Sequence, residues 1–101
     1  LRYLTLYNNQ LTAYKVGSFV SLYRIRYFDL SNNKLNQTAQ DNIISDLYDN
    51  WNAIKRGGVT INLRGNKNNL GINETPSDEA KEKALILVAN GWNVSVNGGL
   101  T

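Results

Sequence analysis

The chain of 101 residues contains no cysteine, no histidine and no methionine, and only one proline. Each absence removes a class of chemistry. Without cysteine there is no disulfide staple, no thiolate metal ligand and no thiol nucleophile. Without histidine, the commonest general base and a common metal ligand are missing together. No apolar run approaches the roughly 20 residues of a membrane-spanning helix, and no signal peptide is visible, so no membrane insertion is expected. The acids offer little in compensation. Asp46 and Asp49 fall close together on a helical stretch and Asp78 adjoins Glu79. Both pairs read as solvated helix surface or as charges at an N-terminal dipole, not as an acid and base set for catalysis. The segment RGNKNNLG at 64–71 lacks the spaced glycines and the Lys-Ser or Lys-Thr of a phosphate loop. The expectation is a non-catalytic protein with no cofactor and no metal.

The balance of charge is basic, +3 with a sequence pI near 9.3. Lys15, Arg24, Arg26, Lys34, Lys55, Arg56, Arg64, Lys67, Lys81 and Lys83 are dispersed along the chain and mixed with acids. Nucleic-acid binders gather such residues on one face, so the pattern argues against a nucleic-acid partner. The length suits one domain, and a hydrophobic share of 42% suffices for a modest core.

What the chain does contain is repetition. LRYLTLYNNQL at 1–11 returns as IRYFDLSNNKL at 25–35, a shift of 24 residues. Leu1, Leu4, Leu6 and Leu11 fall on Ile25, Phe28, Leu30 and Leu35, and Asn9 falls on Asn33. Two weaker copies follow at intervals of 33: GVTINLRGN with Gly58, Ile61, Leu63 and Asn66, and GWNVSVNG with Gly91, Val94 and Val96. The last has Gly99 where the others have asparagine.

The phrase L-x-x-L-x-L-x-x-N-x-L resembles the leucine-rich repeat. The resemblance implies a parallel sheet of about four short strands in an α/β solenoid, with two helices on its convex side. It also implies that Asn9 and Asn33 turn the chain by bonding backbone groups, and that the concave sheet face binds a partner. Residues 1–101 are expected to form one such domain. Because the chain opens inside a motif, it is expected to be the C-terminal part of a longer polypeptide or to dock on another chain.

Between the strand-like phrases the apolar period changes. Ile43, Ile44, Leu47, Trp51 and Ile54 recur at helical spacing, with Thr38 as the expected N-cap and Asp41 three residues on. Lys55 and Arg56 stand where they would meet the C-terminal dipole before Gly57. A second helix is expected with Thr75 as N-cap and Pro76 at its first position, burying Ala80, Ala84, Leu85, Leu87 and Val88. Trp51 reads as core. Trp92 reads as packing at the C-terminal edge, with an aromatic platform for sugars as the sharper alternative.

Alternation along the strands then assigns an outward row: Tyr3, Thr5 and Tyr7, then Tyr27, Asp29 and Ser31, then Thr60, Asn62 and Arg64, then Asn93, Ser95 and Asn97. Tyr and Arg combine apolar area with hydrogen-bonding ends, which makes Tyr3, Tyr7, Tyr27 and Arg64 the leading contacts. The expected function is a protein-interaction or adhesion module that binds a neighbouring subunit, a host surface protein or a glycan. The irregular 33-residue units resemble those of phage and bacterial cell-surface proteins of this type, and the resemblance implies part of a phage virion protein such as a fibre, tail or decoration protein. A bacterial cell-surface adhesin and a purely structural docking domain are the alternatives.

Overall fold

A computed structural model describes residues 2–65 and 73–101. Its elements are β1 (Tyr3–Thr5), β2 (Tyr27–Asp29), α1 (Gln37–Ile54), β3 (Thr60–Asn62), α2 (Asp78–Ala89) and β4 (Asn93–Ser95). The four strands form one parallel sheet in chain order. Parallel neighbours need a crossover, and right-handed crossovers carry both helices to one side of the sheet. There Phe28 and Ile61 join Ile43, Ile44 and Leu47 of α1 and Ala84 and Leu87 of α2 in a single buried cluster. This is a small α/β unit, as the alternation of strand and helix phrases implies.

Both helices begin later or earlier than their sequence caps suggest. The N-cap of α1 is Asn36, whose Oδ1 accepts from the Ala39 N–H at 2.9 Å, and Thr38 lies inside the first turn. Asparagine caps at least as well as threonine, so the earlier residue takes the position. Asp41 does not close a capping box. Its Oδ1 accepts from the Ser77 N–H at 2.8 Å and ties the starts of the two helices together. Ser77, not Thr75, caps α2, its hydroxyl accepting from the Ala80 N–H, and Pro76 precedes the helix.

The end of α1 also differs from expectation. Lys55 itself adopts the left-handed conformation, at φ 52°, and closes the helix before Gly57. Its ammonium lies 3.9 Å from the centre of the Trp51 ring. Arg56 turns inward instead of meeting the dipole. Its guanidinium donates to the carbonyls of Leu22, Tyr23 and Ile25 and to Asn50 Oδ1. Burial, with the nearby Arg26 charge adding to it, lowers the pKa of Arg56 from the usual arginine value. The buried stripes are narrower than the periodicity suggests. Ile54 is the last helical residue and is exposed; Leu85 and Val88 are exposed because, among the described residues, the elements α2 packs on are α1 and β4.

The repeated asparagines hold the units together. Asn33, fully enclosed, donates from Nδ2 to the carbonyls of Leu6, Leu30 and Ser31 and accepts at Oδ1 from the Leu11 N–H. Asn73 does the same one unit later. It donates to Leu30, Leu63 and Arg64 and accepts from Leu35. Each of the four partners is displaced by one copy of the phrase. The asparagine expected in this role was Asn66, which lies outside the described residues. Satisfying three carbonyls and one N–H from a single side chain removes the desolvation penalty each would carry if buried alone.

The turn before each of these positions repeats as well. Asn8, Asn32, Gly65 and Gly98 occupy equivalent places and all have positive φ, at 57°, 57°, 116° and 83°. Asparagine tolerates the left-handed region and glycine enters it freely. Gly65 has a second constraint, because a Cβ there would fall 2.0 Å from Asn32 Oδ1.

Candidate binding face

Strand register places the expected contact residues in two rows on the side of the sheet away from the helices. Tyr3, Tyr27, Thr60 and Asn93 are direct neighbours, and so are Thr5, Asp29, Asn62 and Ser95. The face therefore grades from aromatic at β1 to small amides and hydroxyls at β4. The Tyr3 and Tyr27 rings lie 6.1 Å apart and tilted by 58°, within the range of favourable aromatic contacts. Tyr3, Thr5, Tyr7, Arg64 and Asn93 are exposed, while Tyr27, Asp29, Thr60, Asn62 and Ser95 are half-buried.

Asp29 organises the middle of the face. Its Oδ1 accepts from the Ser31 N–H at 3.0 Å and from the Ser31 hydroxyl at 2.6 Å, and its Oδ2 lies 3.3 Å from the Tyr27 hydroxyl. Lost hydration and the Asp29 carboxylate raise the Tyr27 phenol above its ordinary pKa. Asn62 repeats the backbone half of this arrangement, accepting from the Arg64 N–H at 3.1 Å. Such bonds to the residue two positions on stiffen the ends of β2 and β3 and hold the Asp29 and Asn62 side chains in place.

Two residues assigned outward are not free to bind. Ser31 is only 8% exposed, because its hydroxyl is drawn onto Asp29. Asn97 accepts from the Gly65 N–H and donates to the Asn73 carbonyl at 2.7 Å, which makes it a brace between the last two units. Trp92 is 1% exposed, with Nε1 donating to the Arg56 carbonyl at 2.8 Å, so it offers no sugar platform. Asp46 is not solvated helix surface either. Its Oδ2 accepts from the Tyr14 hydroxyl and the Gly17 N–H, both at 2.6 Å, and Tyr14 in turn accepts from the Phe19 N–H. Burial, and then the bond to Asp46, push the Tyr14 phenol well above its ordinary pKa.

A recess of about 240 Å³ opens at the ends of the strands, lined by Ser31, Asn32, Asn62, Arg64, Gly65 and Ser95. Four of these six belong to the outward row read from the sequence. Asn32 and Gly65 do not, and their shared sign of φ is the signal that marks them, since alternation says nothing about residues in turns. Among the described residues, no group of three or more acids could hold a metal ion, and no helix is long and apolar enough to cross a membrane. No family model matches the chain, and no curated protein or solved structure is significantly similar to it.

Proposed function

We propose that the chain is a short leucine-rich-repeat solenoid acting as a non-catalytic interaction or adhesion module, with the open sheet face as its contact surface. The observation that carries this reading is the pair of in-register rows, aromatic at one end and polar at the other, on the side of the sheet that the helices leave uncovered. Support for the repeat architecture comes from Asn33 and Asn73, which make the same four bonds one unit apart. The partner chemistry that fits is a protein or glycan surface with hydrogen-bonding groups to meet Asp29, Asn62 and Arg64 and an apolar edge to meet Tyr3 and Tyr27. The setting that suits irregular repeats of this style is a virion protein, with a bacterial surface adhesin as the alternative.

A second reading rests on a different observation. The first unit exposes Tyr3, Leu6, Tyr7 and Val16 beside an edge strand, a combination that favours docking of another subunit along β1. The two are separated by placing a photo-reactive phenylalanine at Asn62, at Thr5 or at Glu82 on α2 and irradiating in the presence of host surface or virion material. Crosslinks from Asn62 support the face, and crosslinks from Thr5 alone support the edge. Yields from Glu82 as high as from Asn62 would contradict both.

A further inference from the structure

Basic residues that look scattered along the chain meet at the start of the sheet. Arg2, Arg24 and Arg26, with Tyr23, line a cavity of about 320 Å³, and no acidic side chain takes part in that lining. Arg2 and Arg26 precede the paired residues Tyr3 and Tyr27, so they are neighbours across the ladder, and the Arg26 N–H donates to the Arg2 carbonyl at 2.8 Å. Like charges on neighbouring strands repel, and a third guanidinium from Arg24 adds to the repulsion. The fold nevertheless anchors two of them. The buried Arg56 clamps the carbonyls of Leu22, Tyr23 and Ile25 and fixes the segment that carries Arg24, while Arg26 Nη1 donates to the Gly57 carbonyl at 2.8 Å. Arg24 makes no hydrogen bond or ion pair among the described residues. A second cavity of about 370 Å³, lined by Ser21, Leu22, Tyr23, Arg24 and Ile25, shares Tyr23 and Arg24 with the first and is mainly apolar.

We propose that this pair of cavities is a binding site for a phosphate or sulfate monoester, with the oxyanion among Arg2, Arg24 and Arg26 and the apolar body of the ester against Leu22, Tyr23 and Ile25. Planar guanidinium forks match the oxygens of such a group and remain charged at every accessible pH. A phosphate monoester, of charge near −2, or a sulfate monoester, of charge −1, also relieves the repulsion that the three arginines otherwise carry. The site lies at the N-terminal rim of the strands. It is separate from the proposed contact face and does not depend on it.

The test is an amide NMR titration of the whole chain with phenyl phosphate, phenyl sulfate, inorganic phosphate and a short thymidine oligonucleotide. The esters should shift the signals of residues 23–26 saturably and bind about tenfold tighter than inorganic phosphate, a difference an apolar body can supply. Phenyl phosphate should weaken as pH falls through about 6, where its second proton binds, while phenyl sulfate should not change. R24Q should weaken both esters several-fold and the R24Q/R26Q pair should abolish binding, with K15Q as an unaltered charge control. Unsaturable shifts, equal affinity for inorganic phosphate, tighter binding of the oligonucleotide, or full affinity in folded R24Q would each overturn the proposal.

Discussion

The first unit and the second carry nearly the same words and occupy very different surroundings. Leu30 is 3% exposed and Leu6, its counterpart, 37%; Phe28 is enclosed and Leu4 only half-buried; Asn33 is buried and Asn9 is exposed. Asn9 still donates to the carbonyls of Leu6 and Tyr7, just as Asn33 does to Leu30 and Ser31. What Asn9 lacks among the described residues is the second pair of bonds, which Asn33 makes to Leu6 and Leu11 in the unit beside it. A repeat phrase therefore encodes its own turn, whereas burial comes from the neighbour stacked against it.

Truncating leucines should show the contrast most strongly. Leu30→Ala is expected to cost about 2–5 kcal/mol, as enclosed leucines do, and Leu6→Ala less than about 1 kcal/mol. Denaturant unfolding of the two variants measures both, and equal costs would mean that the first unit is as well supported as the second. The asparagines come next. Asn33→Ala and Asn73→Ala should each lose about 2–3 kcal/mol through stranded backbone groups, and Asn9→Ala within about 0.5 kcal/mol of nothing, by the same assay.

A smaller effect concerns the packing of the first unit onto α1. The neutral Tyr14 phenol is favoured by the fold, so its contribution is complete below the unfolded tyrosine pKa of about 10 and is lost progressively as pH rises above it. Tyr14→Phe should cost about 1 kcal/mol at neutral pH, with a flatter loss of stability above about pH 10 in alkaline thermal melts. The least change in stability is expected on the open face. Tyr27→Ala and Arg64→Ala should each leave stability within about 0.5–1 kcal/mol of the parent chain while weakening capture of a partner. A large drop in Tm for either would make those side chains structural.

The parts of this fold that repeat were legible, and the parts that break the repeat were not. Alternation in YLT, YFD, TIN and NVS placed four strands and two outward rows, because a period of two depends only on local geometry. Asn73 escaped the same reasoning. Asn66 already satisfied the spacing, and the side chain that makes the ladder bonds stands seven positions further on. Arg56 and Asp46 were misread for a related reason. Most of their partners lie in residues 14–25, the Tyr14 hydroxyl and the Gly17 N–H for Asp46 and the carbonyls of Leu22, Tyr23 and Ile25 for Arg56, and no sequence pattern announces which carbonyl a guanidinium will clamp. The recess and the arginine cavity both combine residues from different units, which only the register of the strands brings together.

Residue-resolved hydrogen exchange on the free chain tests most directly whether burial in this protein comes from stacked neighbours. The Leu6 and Asn8 amides donate across to Asp29 and Ser31, just as Leu30 and Asn32 donate to Asn62 and Arg64. With bonds thus matched, the account predicts that Leu30 and Asn32 exchange only with global unfolding and that Leu6 and Asn8 exchange at least about a hundredfold faster by local opening. Equal protection in the two units would contradict it.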